Sequence, residues 1–250
     1  MNSDILEARG LVKAFGALRA SDGIDLAIRE GETHAIIGPN GAGKTTLIAQ
    51  LAGELRPDRG AVRFAGEDIT ALSAAARAHK GLARSFQITS IYADFTALEN
   101  VMLAVQARSG SSFRFFRPAR AEERLRAPAR DALEEVGLGG RADTPASNLA
   151  HGEQRALEIA MALAARPRLM LLDEPVAGMG AEETQRMIAF LATIKGDRTL
   201  ILVEHDMDAV FSLADRISVL VYGRIIATGT PQEIRANADV RRAYLGEEAA

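Results

Sequence analysis

The sequence contains no cysteine, no long hydrophobic run and no large excess of charge of one sign. Without cysteine among 250 residues, disulfides and thiolate metal sites are excluded. The absence of cysteine is compatible with a reducing compartment. No apolar run approaches the roughly 20 residues that span a bilayer. The first ten residues, MNSDILEARG, lack an apolar signal core. We therefore expect the chain to stay on the side of the membrane where it is made.

The formal net charge of -3 gives no overall basic field, so a nucleic-acid partner is not expected. Hydrophobic residues make up 48% of the chain, which is enough for a sizeable core. Short apolar runs alternate with helical patterns, and this alternation predicts an α/β fold with a mostly parallel sheet. The predicted strands are Glu7–Val12, Gly23–Ile28, Thr33–Ile37, Leu169–Leu172, Thr199–Val203, Ile217–Tyr222 and Ile225–Thr228.

Two further segments are interpreted from their local signals. Arg59–Phe64 follows a turn and resembles an edge strand. Thr96 and Glu99 have the spacing of a capping box ahead of a helical run over Val101–Arg108. A further helical pattern, which we expect to be kinked or interrupted at Pro128, ends near Gly137, so the middle of the chain is predicted to be a helical insertion.

The segment Gly38–Thr45, GPNGAGKT, has the pattern of a phosphate-binding P-loop between a strand and a helix. Glycines let backbone N–H groups turn toward phosphate oxygens, Lys44 reaches the β- and γ-phosphates, and the Thr45 hydroxyl binds Mg²⁺. The alternative is a glycine-rich turn with a solvated lysine. The residues of this segment that we predict to bind nucleotide are Gly38, Asn40, Gly41, Gly43, Lys44, Thr45 and Thr46.

Two later strands end in residues that could act on a phosphate. Leu169–Leu172 is followed by Asp173 and Glu174, which suit metal binding through water and activation of the attacking water, respectively. Thr199–Val203 is followed closely by His205. Ligands of open α/β sheets bind at the carboxyl ends of strands, so His205 is predicted to face the same crevice. The alternative for Asp173 and Glu174 is an acidic turn, and the alternative for His205 is a structural role.

These motifs, in this order, resemble those of ABC ATPases, and Leu149–Gln154, LAHGEQ, resembles the Leu-Ser-Gly-Gly-Gln signature of that family. The resemblance covers about residues 5–245. It implies a P-loop NTPase core, an N-terminal antiparallel β subdomain and an inserted helical subdomain. The corresponding boundaries are 1–86 for the first part of the core, 87–152 for the helical subdomain, 153–234 for the second part and 235–250 for a C-terminal tail.

The resemblance also implies functional roles. ATP and Mg²⁺ are the cofactors, and two chains pair head to tail so that the Ala150–Gly152 segment of one contacts the γ-phosphate held by the other. Gln87 corresponds to the glutamine that touches Mg²⁺ alongside Thr45 and Asp173. Phe15 corresponds to the aromatic residue that stacks on adenine, the alternative being a buried strand residue. Glu174, His205 and Lys44 are the implied catalytic residues.

Several segments, among them Ala83–Gln87, Gln154–Ile159 and Gly229–Ile234, resemble the ATPases of branched-chain amino acid importers. This implies a peripheral protein on the cytoplasmic face of the inner membrane, with a second ATPase subunit, two transmembrane permeases and, indirectly, a solute-binding protein. Residues 88–95 would contact the permease. The alternatives are an importer of urea or short amides, an exporter ATPase, and a soluble ABC ATPase acting on ribosomes or DNA.

Two residues depart from the family pattern. Ala150 replaces the signature serine, and Gly180 stands where many members have an aspartate. A hydrogen bond to a charged group contributes roughly 1.5–3 kcal/mol, so the loss of the serine predicts weaker contact with the opposite γ-phosphate. We therefore favour a heterodimer with unequal ATP sites over a homodimer. The Arg- and Phe-rich segment 109–130 is interpreted as a solvated face, with contact to anionic lipid, a membrane partner or RNA as alternatives.

Overall fold

The computed structural model describes residues 3–84, 91–108 and 122–245. Gln87, residues 88–90 and most of the Arg- and Phe-rich segment lie outside the described residues. Within these limits the strands are β1 (Asp4–Phe15), β2 (Leu18–Arg29), β3 (Thr33–Ile37), β4 (Arg59–Phe64), β5 (Glu67–Asp68), β6 (Leu82–Arg84), β7 (Leu169–Asp173), β8 (Thr199–Val203), β9 (Arg216–Val221) and β10 (Arg224–Gly229).

The helices of the same residues are α1 (Lys44–Ala52), α2 (Ala74–His79), α3 (Ala97–Arg108), α4 (Glu123–Glu135), α5 (His151–Ala164), α6 (Ala181–Ile194), α7 (Met207–Leu213), α8 (Pro231–Ala236) and α9 (Ala238–Val240). Among these residues, no helix combines the length and the apolar character needed to cross a membrane. The fold is α/β, as the alternation of patterns predicted.

The larger sheet has the strand order β10-β9-β3-β8-β7-β6. Its neighbours from β9 to β6 pair in parallel, and β10 is antiparallel to β9. Strands β3, β7 and β8 are buried at every position, because both faces of the sheet are covered. Since these strands are parallel, their carboxyl ends meet at one edge of the sheet.

The two faces of this sheet belong to two hydrophobic clusters. In β3, Ala35 and Ile37 pack in the cluster that contains the apolar faces of α3 to α7, whereas Ile36 packs in the cluster formed with β1, β2 and α1. In β7, Leu172 packs in the first of these clusters and Leu171 in the second. Successive side chains of a strand point to opposite faces, so a continuous apolar run fills both layers at once.

The smaller sheet is antiparallel and has the order β2-β1-β4-β5. The prediction that Arg59–Phe64 is an edge strand was therefore wrong. The two-residue strand β5 pairs with Arg63 and Phe64 and is the outermost strand on that side of the sheet. A strand this short leaves no apolar pattern in the sequence, so its pairing with β4 could not be predicted.

The helical block contains α3, α4 and α5, which pack on one another. The capping box was predicted correctly: the Thr96 N–H donates to the Glu99 carboxylate over 3.0 Å, and the Glu99 N–H donates to Thr96 Oγ1 over 3.1 Å. The helix begins at Ala97, directly after this cap, and not at Val101. Pro128 lies inside α4 without ending it.

Candidate functional site

The segment Gly38–Gly43 connects β3 to α1 and is wedged between β9 and β2. A Cβ at Gly38 would lie 2.0 Å from the Leu220 carbonyl oxygen, and one at Gly43 would lie 2.2 Å from that of Ala20. Gly43 also has a φ of 105°, which disfavours any other residue. The loop conformation is thus set by close backbone approaches on both sides.

Lys44 begins α1, and its ammonium group folds back onto the loop. Nζ donates to the Gly38 carbonyl over 2.6 Å and to the Pro39 carbonyl over 3.1 Å. Burial lowers the pKa of Lys44, while the nearby carboxylates of Glu174 and Asp173 act in the opposite direction. The ammonium group therefore lies between the loop and the two acids. Asn40 on the loop and Thr45 in the first turn of α1 are exposed, and Thr46 is half-buried.

Asp173 is the last residue of β7, and its side chain is 1% exposed. Arg84, at the end of the neighbouring strand β6, donates to Asp173 Oδ2 over 2.9 Å. Among the described residues, no hydrogen bond reaches Asp173 Oδ1. One carboxylate oxygen is therefore paired with a guanidinium and the other is available for a further ligand.

Glu174 follows directly and adopts a left-handed backbone conformation with a φ of 50°. Such a conformation costs roughly 1–3 kcal/mol in a residue other than glycine. Its N–H donates to the Val203 carbonyl over 2.8 Å, and its carbonyl accepts from Arg155 over 2.9 Å. Its carboxylate lies 3.8 Å from His205 Nδ1, which brings together the acid and the histidine that were predicted to share a crevice.

Glu204 is the buried residue between β8 and His205, and it was not predicted as part of the site. One carboxylate oxygen accepts from the Val176 N–H over 3.0 Å, and the other accepts from the His205 N–H over 3.1 Å. Burial raises the pKa of Glu204, although these backbone hydrogen bonds oppose the rise. The carboxylate thus fastens the loop after Glu174 to the loop that carries His205.

Arg155, on α5, was also missed. Its guanidinium is nearly buried and donates to the Asp173 carbonyl over 2.7 Å, to the Glu174 carbonyl, and to the Glu158 carboxylate over 2.6 Å. Arg155, Arg84 and Glu204 are therefore the residues that hold the acidic pair in place. Nothing local to the sequence marks them, because each acts on backbone or side-chain groups of another strand end.

The Ala150–Gly152 segment forms the start of α5. Ala150 is the N-cap residue and has no side-chain acceptor, so the cap consists of its own N–H donating to the Glu153 carboxylate over 2.9 Å. Gly152 lies beneath the carboxylate of Glu183, which a Cβ would meet at 2.8 Å. The start of this helix is consequently packed against α6 of the same chain.

Phe15 ends β1 at the tip of the β1–β2 hairpin and is 51% exposed. The alternative of a buried strand residue was therefore wrong. The Lys13 ammonium lies 5.8 Å from the centre of the ring. The next strand, β2, is the one whose Ala20 carbonyl touches the phosphate-loop residue Gly43, so the hairpin borders the loop.

A phosphate-loop lysine, two acids and a histidine thus meet at the carboxyl ends of β3, β7 and β8, which defines a P-loop nucleotide-binding protein. The sequence profile described as "ABC transporter" matches residues 21–177, and that of the "Branched-chain amino acid ATP-binding cassette transporter" matches residues 224–250. The chain belongs to the ABC transporter ATP-binding family.

Individual relatives are similar over their whole length. The high-affinity branched-chain amino acid transport ATP-binding protein BraF of Pseudomonas aeruginosa is 41% identical, with 99% of this chain and 100% of that protein covered. LivG of Salmonella typhimurium, which carries the same description, is 39% identical with the same coverage. A crystal structure of the ADP conformation of an ATP-binding cassette of an ABC transporter has a TM-score of 0.85 and 30% identity, covering 97% of this chain and 99% of that one.

Proposed function

We propose that this chain is the ATP-hydrolysing subunit of an ABC importer for branched-chain or other hydrophobic amino acids. The observation that carries the proposal is the full-length similarity to BraF and LivG, together with the match of residues 224–250 to a branched-chain profile. The grouping of Lys44, Asp173, Glu174 and His205 at one sheet edge supports hydrolysis as the source of energy.

The phosphates of ATP would occupy the Gly38–Thr45 loop, where Lys44 exchanges the loop carbonyls for phosphate oxygens. Magnesium prefers a few protein oxygens plus phosphates and water, and the exposed Thr45 hydroxyl and the unbonded Oδ1 of Asp173 fit that preference. When bound, Mg²⁺ neutralises the charge that develops on the phosphates. Gln87 is proposed as a further metal contact, and the half-exposed Phe15 as the ring that stacks on adenine.

Glu174 would orient or deprotonate the water that attacks the γ-phosphate. Its strained backbone is held by Val203 and Arg155, so the carboxylate is kept at the sheet edge without help from the substrate. His205, 3.8 Å from that carboxylate, would contact the γ-phosphate or the same water. A positioned acid of this kind typically contributes a factor of about 10²–10⁴ to the rate.

The start of α5 is proposed to contact the γ-phosphate bound to a second, similar ATPase subunit. The backbone N–H groups and the positive end of the dipole at a helix start suit an anion there. Because Ala150 supplies no hydroxyl, we propose a heterodimer in which the two ATP sites differ; a homodimer is the alternative. The chain would act at the cytoplasmic face of the membrane, bound to two permeases, with a solute-binding protein involved indirectly.

The permeases are proposed to dock beside the helical block. A groove of about 520 Å³ runs between α2, α3, α5 and β6 and is lined largely by alanines, which leaves room for the side chains of a partner helix. Just before α3, Tyr92 is 58% exposed and its ring stacks on Phe95 at a centroid distance of 5.4 Å. Ile91, Tyr92 and Phe95 remain our proposed contacts, although they do not line the groove itself.

Reconstitution tests this function. The chain is co-expressed with candidate permeases and a candidate second ATPase from the same organism, and the purified complex is placed in vesicles with a candidate binding protein and ATP. We expect ATP-dependent uptake of labelled leucine, and none with the matched Glu174→Gln complex. Uptake of urea alone would favour the urea branch. Co-purification with ribosomes or DNA instead of membrane proteins would contradict the proposal.

A further inference from the structure

Arg84 links two parts of the site that are far apart in sequence. One guanidinium nitrogen donates to Asp173 Oδ2 over 2.9 Å, and another contacts the carboxylate of Glu54, just beyond the end of α1. The side chain is 10% exposed. The same residue therefore touches the acid that is proposed to hold the metal and the far end of the helix that begins at Lys44.

Arg84 also lines the groove that is proposed to receive the permease. Within the part of the chain that the structure describes, its buried Nε atom has no hydrogen-bond partner, and neither has the buried Oε1 of Glu158 on another wall of the groove. A buried polar atom without a partner costs roughly 1–3 kcal/mol. Two residues of the groove wall thus hold an unsatisfied donor and an unsatisfied acceptor just beneath its surface. An inserted segment with its own polar groups can satisfy them once the two side chains turn toward it.

We infer that Arg84 is a positioning residue that transmits occupation of the groove to Asp173. This rests on the proposed function, because the occupant is a permease segment that carries a hydrogen-bond acceptor beside an apolar side chain. The acceptor draws the guanidinium toward the groove and away from Asp173. Asp173 Oδ1 can then bind Mg²⁺ without a competing cation on the same carboxylate, so that docking prepares the nucleotide site.

Electrostatics give the direction of the effect. A cation 2.9 Å from Asp173 repels a second cation at that carboxylate, and the repulsion is strong because both side chains are nearly buried. While the Arg84–Asp173 pair is intact, binding of Mg²⁺ is weakened. Loss of the Arg84–Asp173 pair, through docking or mutation, strengthens the binding of Mg²⁺.

The readout is the Mg²⁺ concentration that half-saturates binding of a fluorescent ATP analogue, measured without turnover. In the isolated subunit, Arg84→Gln should lower this concentration at least threefold, since the amide can still donate to Asp173 but carries no charge. In the wild type, assembly with the permeases should lower it by a similar factor. Arg84→Gln should show no further shift on assembly.

Arg108→Gln is the matched control, because it removes the same charge from the same groove without touching Asp173. It should behave as wild type in both measurements. Arg84→Lys retains the charge but has no Nε, so the isolated subunit should resemble wild type while the shift on assembly is lost. This variant also keeps the inference testable if Arg84→Gln does not fold.

A higher Mg²⁺ requirement for Arg84→Gln would overturn the inference, because it would mean that the arginine merely supports the site. A wild-type shift on assembly of Arg84→Lys would equally overturn it. Failure of the wild-type chain to assemble with any permease would instead refute the proposed function, and the two failures are therefore distinguishable.

Discussion

His34 is the residue from which we expect a pH dependence of stability. Its imidazole is fully buried in β3, with Nδ1 2.5 Å from Glu32 Oε1 and Nε2 2.8 Å from Ser218 Oγ. Burial lowers the pKa of His34 below its ordinary value of 6.5, and Arg216 acts in the same direction, although the Glu32 carboxylate opposes both. The folded chain therefore holds this ring neutral at a pH where the unfolded chain begins to protonate it.

The sign follows from proton linkage. The stability contributed by the neutral ring is complete above the unfolded pKa and is lost as the pH falls from 6.5 toward the folded pKa. One proton of difference changes the free energy of unfolding by about 1.4 kcal/mol per pH unit. Between pH 7.5 and 5.5 the loss can thus reach at most about 1.4 kcal/mol, which corresponds to a decrease in Tm of at most about 3–6 °C in a chain of this size.

The assay is urea-induced unfolding at pH 7.5 and 5.5, followed by circular dichroism, for wild type and His34→Gln. The glutamine can still donate to Glu32 but does not titrate, so this variant should lack most of the loss. Glu204, whose pKa burial raises, acts with the opposite sign, but it is present in both chains and cancels in the comparison. An equal loss of stability in both chains would refute the assignment to His34.

Four further predictions concern the site and its support. Glu174→Gln should bind MgATP normally yet hydrolyse it at least 100-fold more slowly and accumulate as dimers; near-normal turnover would remove Glu174 from its role. Lys44→Ala should lose useful ATP affinity because a charge on the phosphates is lost, and tight binding of labelled ATP would contradict this. Arg77→Met should lower the free energy of unfolding in urea by about 3 kcal/mol or more. The reason is that the Arg77 guanidinium, in a residue that is 1% exposed, donates to two carbonyls of the last turn of α1 over 2.7 and 2.8 Å. A loss below about 1 kcal/mol would show that these hydrogen bonds are dispensable. Ala150→Ser should raise ATP affinity at one site of the assembled transporter, and a homodimer with two equivalent sites would defeat the proposed asymmetry.

Strands β3, β7 and β8 of the larger sheet could be predicted because each is a short apolar run that leads directly into residues of the site. Thr33–Ile37 and Thr199–Val203 were predicted with the bounds that the structure has. The strand β6 and the helix α2 were not predicted. Three residues do not establish a period, and a six-residue helix rich in alanine has no apolar stripe.

The contacts that hold the site together were beyond sequence reasoning for a different reason. Arg84 and Asp173 lie 89 residues apart along the chain and meet only because β6 and β7 pair in parallel. Arg155 acts on backbone carbonyls, which leave no trace in the sequence. The order of strands in the sheet decides such contacts. A short run of residues predicts that a strand forms, but it does not predict which strands lie next to it.

The wedged position of the phosphate loop determines how a mutational scan of this protein should be interpreted. Any side chain at Gly38 or Gly43 collides with the carbonyl of another strand. If a substitution at either position abolishes ATP binding, the first cause will therefore be a displaced loop backbone and not the loss of a contact with phosphate. The exposed side chains of Asn40 and Thr45 carry no such constraint. Substitutions there measure nucleotide recognition itself, and they are the positions at which binding and folding can be separated.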